Sequence, residues 1–527
     1  MSQPSWLRTA LFYQIYPQSF ADSNGDGIGD LPGLVSKLDY LKSLGVTALW
    51  LNPIFESPFG DAGYDIADFR KVAARYGTNE DAVRLFKEAH ARGIKVVLDL
   101  VAGHTSDQHP WFQSAIGDPQ SPYRDYYIFT GDEPQKPMFG DYCPTTPQGE
   151  NYVANFLPFQ PALSFGYHQP DPNRPWQLPA EHPACLKVRT ELRDIMKFWL
   201  DLGCDGFRVD MASSLIRGGA VDELARLWQG FRAWFDRVYP EAVLVSEWSN
   251  PIQAIAAGYH VDFLIHFGEP AYSNLIGSGH PLRGKSRVPH VFFERSGEGD
   301  IRQFLDNYLK HYRATLGRGY TSLPTGNHDF QRPRRGRGFD DLRVLYVMLF
   351  TMPGVPFLYY GDEIGMRNID GLPEKEGSMW RTGNRTPMQW DKAAPNLGFS
   401  TAPKKALYLP VDSAEDAPTV SEQEKHKDSL LHFTRKLIAL RARHSALGND
   451  AAFRPLYAQP GRYPFVYERS DASGRFAIAI NPGEPECSVD LPELKGAKLV
   501  LGEGAKLSGT QLTMDGVSFA ILKLKYI

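Results

Sequence analysis

Cysteine is scarce in this chain, and its spacing argues against two classes of site. The four cysteines, Cys143, Cys185, Cys204 and Cys487, lie far apart and form no C-x-x-C pair. Zinc clusters need closely spaced cysteines, and small disulfide frameworks need several of them in a short chain. We therefore expect neither a disulfide framework nor a zinc cluster.

Long apolar runs are also missing. No stretch of about 18 apolar residues occurs, which is the length that a membrane-spanning helix needs. Residues 1–20 lack a basic segment followed by an uninterrupted apolar stretch, so no signal peptide is evident. We expect a cytoplasmic protein without a membrane partner, unless a leader is missing from the chain.

A strong charge of either sign is absent as well. The chain has 57 basic and 61 acidic residues and a formal net charge of −4, which gives no general attraction to nucleic acid. The basic run at residues 332–337 resembles an RNA-binding arm, but such a loop in a neutral protein is more often solvated or part of a substrate site. We expect no nucleic-acid partner.

The chain does contain a regular alternation of short β-rich runs and amphipathic helical patterns. The runs predict eight strands, at residues 11–16, 46–52, 95–101, 206–210, 242–247, 261–267, 320–327 and 355–360. Strand–helix alternation implies parallel strands, and eight of them suggest an α/β fold of the closed (β/α)8 barrel type. A doubly wound open sheet is the alternative, but no Gly-rich phosphate-binding turn follows the first strand.

Breaks in this alternation predict the domain organisation. The long gap after the third strand, rich in Pro, Gly, Tyr and Asp, predicts an inserted loop-rich subdomain at residues 104–185. The catalytic barrel then comprises residues 1–103 and 186–444, including an irregular excursion at 366–424 after the eighth strand. Short alternating strands further on predict a C-terminal antiparallel β-sandwich domain at residues 445–527.

Polar, ionisable clusters end four of the predicted barrel strands. They are residues 99–104 (DLVAGH), 206–210 (GFRVD), 246–248 (SEW) and 326–329 (GNHD). In a barrel of this kind, reactive groups gather at the carboxyl ends of the strands. We therefore expect these clusters to share one site, whereas any single cluster would be as compatible with a structural ion pair.

Asp210 and Glu247 suit two different chemical roles. Arg208 lies on the same face of its strand as Asp210, so it should lower the pKa of that carboxylate and keep it ionised as a nucleophile. Glu247 has no cation beside it in the sequence, which suits a raised pKa and a general acid. Glycoside hydrolysis needs such a pair, with the carboxyl groups about 5 Å apart for retention of configuration and further apart for inversion.

Five longer motifs follow one another along essentially the whole chain: FYQIYPQSFADSNGDGIGDLPGL, GYDIADF, GFRVD, TGNHD and PFLYYGDEIGM. Together they resemble the α-amylase superfamily, glycoside hydrolase family 13, and most of all its α-glucosidase and oligo-1,6-glucosidase branch. The resemblance implies a retaining double displacement at an α-glucosidic bond. Asp210 falls at the nucleophile position, Glu247 at the acid/base, and Asp329 at the carboxylate that stabilises the oxocarbenium-like transition state.

The same resemblance implies binding roles. His104 and His328 align with imidazoles that hydrogen-bond the bound glucose, and Tyr64 with the ring that stacks beneath it. Asp65 and Arg332 look like the pair that closes the site behind a terminal glucose in exo-acting enzymes, although either could be a surface salt bridge. The predicted substrate-binding residues are Tyr64, Asp65, His104, Arg208, His328 and Arg332.

A Gly-rich loop near the N-terminus places oxygen atoms at alternate positions. The predicted metal ligands are Asp22, Asn24, Asp26, Ile28 and Asp30. Hard cations bind such oxygens, calcium more readily than magnesium, and similar loops in the family bind a structural calcium. The alternative is a turn capped by Asp and Asn side chains. We expect no organic cofactor.

Two residues depart from the family pattern. Gly103 stands where the family usually has an asparagine that holds a calcium between barrel and inserted subdomain, so that second calcium is not expected. Met211 follows the nucleophile position, where the branch often has a small or β-branched residue tied to linkage preference. Met211 therefore gives no basis for choosing between α-1,4 and α-1,6 bonds.

Three functions stay open at this point. The first is an exo-acting α-glucosidase, monomeric or homodimeric, that acts on small α-glucosides. The second is a transglucosidase or sugar isomerase, such as a trehalose or isomaltulose synthase, that uses the same glucosyl-enzyme. The third is a non-catalytic barrel acting as a partner subunit, but such chains carry a membrane anchor and lose the carboxylates that are present here.

Overall fold

The computed structural model describes residues 3–219, 221–265, 271–277 and 288–525. Its strands, in chain order, are β1 (Phe12–Ile15), β2 (Ala48–Leu51), β3 (Phe55–Glu56), β4 (Asp68–Val72), β5 (Lys95–Val101), β6 (Phe129–Gly131), β7 (Asn151–Tyr152), β8 (Gly206–Asp210), β9 (Val243–Ser246), β10 (Val261–Phe263), β11 (Tyr320–Ser322), β12 (Phe357–Tyr359), β13 (Ala452–Tyr457), β14 (Phe465–Asp471), β15 (Gly474–Asn481), β16 (Cys487–Asp490), β17 (Lys498–Ser508) and β18 (Gln511–Lys523). Its α-helices are α1 (Leu31–Ser36), α2 (Leu38–Leu44), α3 (Asn79–Ala91), α4 (Pro110–Gly117), α5 (Pro183–Leu202), α6 (Val221–Val238), α7 (Pro251–Ala256), α8 (Tyr272–Ile276), α9 (Arg302–Thr315), α10 (Phe339–Thr351), α11 (Val420–Lys425) and α12 (Leu430–Arg443).

Eight strands, all parallel in the part of the chain that the structure describes, form one sheet in the order β11-β10-β9-β8-β5-β2-β1-β12. The two outermost strands meet through a parallel bridge between Pro324 and Phe357. The N–H of Thr325 also donates to the carbonyl oxygen of Phe357 (2.9 Å). The sheet is therefore a closed barrel, and the predicted (β/α)8 fold is confirmed.

The barrel strands are short and buried. In β5 (KVVLDLV) only the first residue is partly exposed, because helices cover the outside of a barrel and side chains fill its interior. This two-sided burial explains why the strand reads as a nearly continuous apolar run. Residues 266 and 267, at the end of the predicted sixth strand, lie outside the described residues.

Helix ends are encoded locally. The Thr78 hydroxyl accepts from the N–H of Asp81, whose carboxylate accepts from the Thr78 N–H in return, so the start of α3 is a capping box. Helix α5 begins with Pro183 and stops at Gly203, whose φ of +113° lies in the left-handed region that terminates helices.

The segment between β5 and α5 is irregular apart from α4 and the short β6–β7 pair. Phe112 anchors a small aromatic cluster within it, with ring centroids 4.9 Å from Tyr127 and 5.0 Å from Tyr152. A bridge between His104 and Ala162 ties the segment back to the end of β5. This composition agrees with the predicted loop-rich insertion, while the predicted domain limits stay predictions.

The C-terminal strands form an antiparallel sheet in the order β13-β14-β15-β18-β16, with β17 also paired to β18. Alternate residues of β15 face opposite sides. Ile478 and Ile480 belong to the apolar core that continues into the barrel, whereas Ala477 and Ala479 belong to a separate cluster. The sheet is therefore packed on the barrel through one face.

Two buried arginines, Arg441 and Arg469, join this sheet to the amino-terminal end of the barrel. Arg441 donates to the carbonyl oxygens of Phe350 (2.6 Å) and Gly354 (2.7 Å). Arg469 donates to the carbonyl oxygen of Ala451 (3.1 Å). Neither forms an ion pair with a carboxylate among the described residues, so backbone oxygens balance both cations.

None of the helices in the described ranges has the combination of length and apolar character that crossing a membrane requires.

Candidate active site

The three predicted catalytic acids lie at the carboxyl end of the barrel. Asp210 is the last residue of β8, and Glu247 directly follows β9. Asp329 lies in the loop after β11. Parallel strands bring their carboxyl ends to one edge of a barrel, so side chains distant in sequence meet there.

One guanidinium group connects acids from three neighbouring strands. Nη1 of Arg208 lies 2.8 Å from Oδ1 of Asp99 and 3.0 Å from Oδ1 of Asp210. Nη2 of Arg208 lies 2.7 Å from Oε1 of Glu247. Because the Arg208 side chain is only 2% exposed, these contacts form inside the protein, where they are little screened by water. Asp210 and Glu247 therefore share one cation.

A hydrogen-bonded chain links this cluster to Asp329. The Tyr64 hydroxyl donates to Oδ2 of Asp99 (2.9 Å) and lies 2.7 Å from Nε2 of His328. Nε2 of His328 in turn lies 3.2 Å from Oδ2 of Asp329. Gln14 donates to Nδ1 of His328 (2.9 Å), which leaves the proton of the neutral ring on Nε2. All three acids thus belong to one network.

Asp329 is held by cations from the excursion after β12. Nη1 of Arg381 lies 2.8 Å, and Nη2 of Arg385 3.3 Å, from Oδ1 of Asp329. Burial opposes ionisation, but His328, Arg381 and Arg385 outweigh it and hold the pKa of Asp329 well below its ordinary value. Asp329 is therefore a carboxylate over the whole neutral range.

The pKa values of Asp210 and Glu247 shift in the opposite direction. Burial raises the pKa of Asp210 well above its ordinary value, the negative charge of Glu247 raises it further, and Arg208 only partly offsets both. Burial also raises the pKa of Glu247, again against Arg208. The contact between Arg208 and Asp210 was predicted, but the predicted lowering of the Asp210 pKa is wrong, because burial and then the charge of Glu247 outweigh Arg208.

The predicted pairing of Asp65 with Arg332 is also wrong. Nη1 of Arg332 donates to Oδ1 of Asp362 (2.9 Å) and to the carbonyl oxygen of Tyr360 (2.6 Å), all fully or nearly fully buried behind the end of β12. The carboxylate of Asp65 accepts from the backbone N–H groups of Gly60 (2.7 Å) and Asp61 (2.9 Å). Both side chains are therefore occupied by contacts that hold the loops in place.

Asp61 occupies the position that the sequence interpretation gave to Asp65. Its Oδ1 lies 3.4 Å from Nη2 of Arg381, and its Oδ2 accepts from Nε2 of Gln160 (2.8 Å). Arg381 therefore bridges Asp61 and Asp329. Sequence reasoning missed Asp61, Arg381 and Arg385, although it did predict the excursion at 366–424 in which both arginines lie.

His104, the last of the predicted binding residues, lies at the same network. His104 is buried, its Nε2 lies 3.0 Å from the carbonyl oxygen of Tyr64, and burial lowers its pKa to about 4. The Tyr64 ring stacks on the His328 ring with centroids 5.4 Å apart and an angle of 4°. Both histidines are therefore neutral hydrogen-bonding groups rather than cations at neutral pH.

Beside Gly103, the side chain of Asn155 from the inserted segment occupies the space into which a longer residue at position 103 would extend. A Cβ atom on Gly103 would come within 2.7 Å of Nδ2 of Asn155 and 3.2 Å of Oγ of Ser214. That amide lies 3.3 Å from Nδ1 of His104. A longer side chain at position 103 would therefore have to displace the amide of Asn155.

The N-terminal Gly-rich loop folds around its own carboxylates. Oδ1 of Asp22 accepts from the N–H groups of Asn24 (3.0 Å) and Gly25 (2.8 Å), and Oδ1 of Asp26 accepts from the N–H of Ile28 (2.8 Å). Oδ1 of Asp30 caps α1. These are the contacts of the alternative, a turn capped by Asp and Asn. Oδ2 of Asp22 also accepts from the N–H of Gly27 and the hydroxyl of Ser400, so Asp22 accepts four hydrogen bonds in all, whereas Asp26 and Asp30 keep lone pairs free.

Comparison with known proteins agrees with this arrangement. The alpha-amylase catalytic-domain family matches residues 14–450. An oligo-1,6-glucosidase from Parageobacillus thermoglucosidasius is 33% identical over 93% of this chain and 92% of its own. The trehalose synthase/amylase TreS of Mycolicibacterium smegmatis is 34% identical over 84% of this chain and 77% of its own. A solved isomaltulose synthase from Klebsiella sp. LX3 has a TM-score of 0.82 at 26% identity, covering 99% of this chain and 100% of that one.

Proposed function

The chain belongs to the alpha-amylase family of glycoside hydrolases, and from that membership we propose that it is a retaining, exo-acting α-glucosidase of short oligosaccharides. One observation carries the proposal. Arg208 holds the carboxyl groups of Asp210 and Glu247 at 3.0 and 2.7 Å on the ends of adjacent strands. Two carboxyl groups held close together are what α-glucosidic bond cleavage needs.

The proposed reaction has two steps. In the first, Asp210 attacks the anomeric carbon while Glu247 gives its proton to the departing glycosidic oxygen, so a glucosyl-enzyme forms and an alcohol leaves. In the second, Glu247 takes a proton from water, whose oxygen displaces Asp210. Asp329, ionised throughout, offsets the positive charge of both oxocarbenium-like transition states.

The proton distribution adds a requirement to this mechanism. Glu247 accepts from Arg208 (2.7 Å) and from the N–H of Met211 (3.0 Å), two contacts that favour its ionised form. Asp210 has the pKa that is raised well above its ordinary value. The first step needs a proton on Glu247 and an ionised Asp210. Burial raises the pKa of both groups, so we propose that substrate binding favours protonation of Glu247 over that of Asp210.

The contacts of Arg381 support exo action. Its guanidinium spans from Asp329 (2.8 Å) to Asp61 (3.4 Å), and Gln160 holds the other oxygen of Asp61. These groups come from three separate loops and form a polar wall beside the catalytic acids. A wall of this kind stops a longer chain from passing beyond the terminal glucose, so hydrolysis proceeds from the chain end.

A transglucosidase or sugar isomerase is the second candidate. It uses the same acids and differs in whether a sugar hydroxyl or water intercepts the glucosyl-enzyme. Two of the similar proteins, TreS and the isomaltulose synthase, carry names of that kind. The two candidates therefore differ in their products rather than in their catalytic residues.

Product analysis separates the candidates. The enzyme is incubated with maltose, isomaltose, sucrose and trehalose, and the products are followed by chromatography with detection of the anomers. Glucose released as the α-anomer supports the proposal. An isomeric disaccharide as main product favours the second candidate, and release of the β-anomer rejects retention.

We also propose that the loop of Asp22, Asn24, Asp26, Ile28 and Asp30 binds a structural calcium ion. Among the described residues, none of its three carboxylates pairs with a lysine or arginine, and Asp26 and Asp30 keep oxygen lone pairs that no hydrogen bond uses. Removing calcium with a chelator should lower the melting temperature by several degrees. It should have a smaller effect on kcat measured at low temperature. An unchanged melting curve contradicts the site.

Three sequence-based predictions are carried forward as proposals. They are the cytoplasmic location, the monomeric or homodimeric state and the absence of a nucleic-acid partner. Fractionation, light scattering and a gel-shift assay test them in that order.

A further inference from the structure

A buried carboxylate on β10 lies beside the strand that ends at Glu247. Asp262 is 0% exposed, and the parallel register of β9 and β10 places it opposite Ser246, the residue before Glu247. Its Oδ1 accepts from the Ser246 hydroxyl (2.7 Å) and from the N–H of Trp248 (3.1 Å). The residues on both sides of Glu247 are therefore bonded to one oxygen atom.

The same carboxylate shapes the loop that follows. Oδ2 of Asp262 accepts from the N–H of Asn250 (2.9 Å), and the Asn250 side chain caps the start of α7. Between these contacts, Ser249 has a φ of +56°, in the left-handed region that non-glycine residues rarely adopt. The backbone is therefore strained at Ser249, where it turns around the carboxylate.

Holding the turn with a carboxylate is energetically expensive. Among the described residues no lysine, arginine or histidine forms an ion pair with Asp262, and burial raises its pKa to about 7. Burying a carboxyl group without a cation has a desolvation cost that hydrogen bonds only partly offset. A turn that served only to connect β9 with α7 would not need that charge.

Glu247 has a second set of anchors on its other side. Its N–H donates to the carbonyl oxygen of Val209 (3.0 Å), and its own carbonyl oxygen accepts from the N–H of Ala212 (3.2 Å). These bonds tie Glu247 to β8, the strand of Asp210. The bonds of Asp262 tie the flanking residues to β10. Without the Asp262 carboxylate, the backbone pairing of β9 with β10, which ends at Ser246, would still hold this side, but nothing would tie Trp248 and Asn250 to β10 through Asp262.

We propose that Asp262 is a positioning residue for Glu247, fixing the acid/base between β8 and β10 so that its proton reaches the glycosidic oxygen. The inference rests on the proposed function. It assigns Asp262 no contact with the substrate. Its effect should be seen where proton donation limits the rate, which is with leaving groups of high pKa.

The test uses Asp262→Asn, which keeps one carbonyl oxygen but turns the other oxygen into an NH2 that faces the N–H of Asn250. We expect kcat/KM for maltose, a poor leaving group, to fall about 10- to 100-fold. For 2,4-dinitrophenyl α-glucoside, which leaves without a proton, kcat/KM should change less than about threefold. With the aryl substrate, kcat should still fall, because hydrolysis of the glucosyl-enzyme needs Glu247 as a base. Azide should restore part of that kcat, because it attacks the glucosyl-enzyme in place of water and needs no base.

The matched control is Asp205→Asn. Asp205 is also a buried carboxylate that accepts a backbone N–H, that of Val96 (2.8 Å), but it lies before β8 at the opposite end of the barrel. This variant should lose stability and treat both substrates alike. Equal losses on both substrates in Asp262→Asn would overturn the inference, because they would indicate a merely structural role.

Two further arms keep the test decisive. If Asp262→Asn does not fold, Ser246→Ala removes one donor from the same carboxylate and should show the same preference for the activated substrate, by about three- to tenfold; equal losses there overturn the inference. A wild-type enzyme that cleaves neither substrate would instead reject the proposed function, and the inference with it.

Discussion

The two ends of the barrel solve the problem of buried charge in different ways. At the carboxyl end, Asp210 and Glu247 share Arg208 and have raised pKa values. At the amino end, Arg441 and Arg469 are surrounded by backbone carbonyl oxygens, and burial lowers the pKa of Arg469 to about 10. Incompletely neutralised acids can exchange protons with a substrate, whereas cations saturated with carbonyl oxygens can only hold elements together.

The largest effect should come from Asp210→Ala. We expect kcat on maltose to fall about 10⁴-fold or more, because no other group replaces the nucleophile. The melting temperature should not fall, since the variant removes a buried carboxyl group whose pKa is raised. Initial rates and a thermal scan check both statements. Substantial residual turnover would contradict the assignment.

At the opposite end, Arg441→Met should affect stability alone. The variant leaves the carbonyl oxygens of Phe350 and Gly354 without a donor, so the free energy of unfolding should fall by about 2–4 kcal/mol. Urea unfolding measures this, and kcat of the folded enzyme should stay within about twofold of wild type. Arg443→Met, on the exposed face of the same helix, is the control. A large loss of kcat at an unchanged stability would erase the contrast between the two ends.

Arg381→Ala should have a smaller effect, on binding and on pH dependence. We expect KM for maltose to rise about tenfold, as for the loss of one charged contact. Arg381 also holds the pKa of Asp329 down, so the variant raises that pKa. Because Asp329 acts as a carboxylate, activity rises as pH rises through its pKa, and the acidic limb should move to higher pH.

The control for Arg381 lies in the same excursion. Arg367→Ala removes a cation that pairs with Asp412 and Asp416 instead of the catalytic acids. Neither KM nor the acidic limb should move in this variant. If both variants shift the pH profile alike, the shift comes from net charge and not from the contact with Asp329.

The smallest effect is a gain in stability from Glu247→Gln. Burial raises the pKa of Glu247, so its contribution to stability is present at acid pH and is lost as pH rises through the folded value. The neutral variant avoids that loss and should melt about 1–3 °C higher at pH 7.5, with the difference vanishing near pH 4. Glu486→Gln, at an exposed position, should change nothing. A lower melting temperature at neutral pH would show that the contact with Arg208 outweighs burial.

The sequence predicted the parts of the site that are attached to strands. A strand fixes where its last residue lies, so Asp210, Glu247 and the cluster at Asp329 could be placed on one edge from the eight runs alone. Arg381 and Arg385 follow Asp329 by 52 and 56 residues and lie in an excursion without periodicity. No local pattern indicates which carboxylate such a segment will meet.

The remaining errors have the same origin. Asp65 was predicted and Asp61 was missed because backbone N–H groups, which a sequence pattern does not show, bind the Asp65 carboxylate and leave Asp61 to face Arg381. The pKa of Asp210 depended on Glu247, which is 37 positions away in sequence but adjacent in the sheet. In the C-terminal sheet, β13 and β16 each bury only one residue, so their sequences give a weaker strand pattern than the largely buried β14 and β15.

The strand order of that C-terminal sheet also bears on biosynthesis. β18 is the last strand of the sheet in chain order, yet it lies in its interior, between β15 on one side and β16 and β17 on the other. On the ribosome, the barrel emerges first and waits with an apolar surface uncovered until β18 leaves the exit tunnel. Slow translation of the final segment would lengthen that wait, and chaperones that bind apolar surface would have their longest opportunity there.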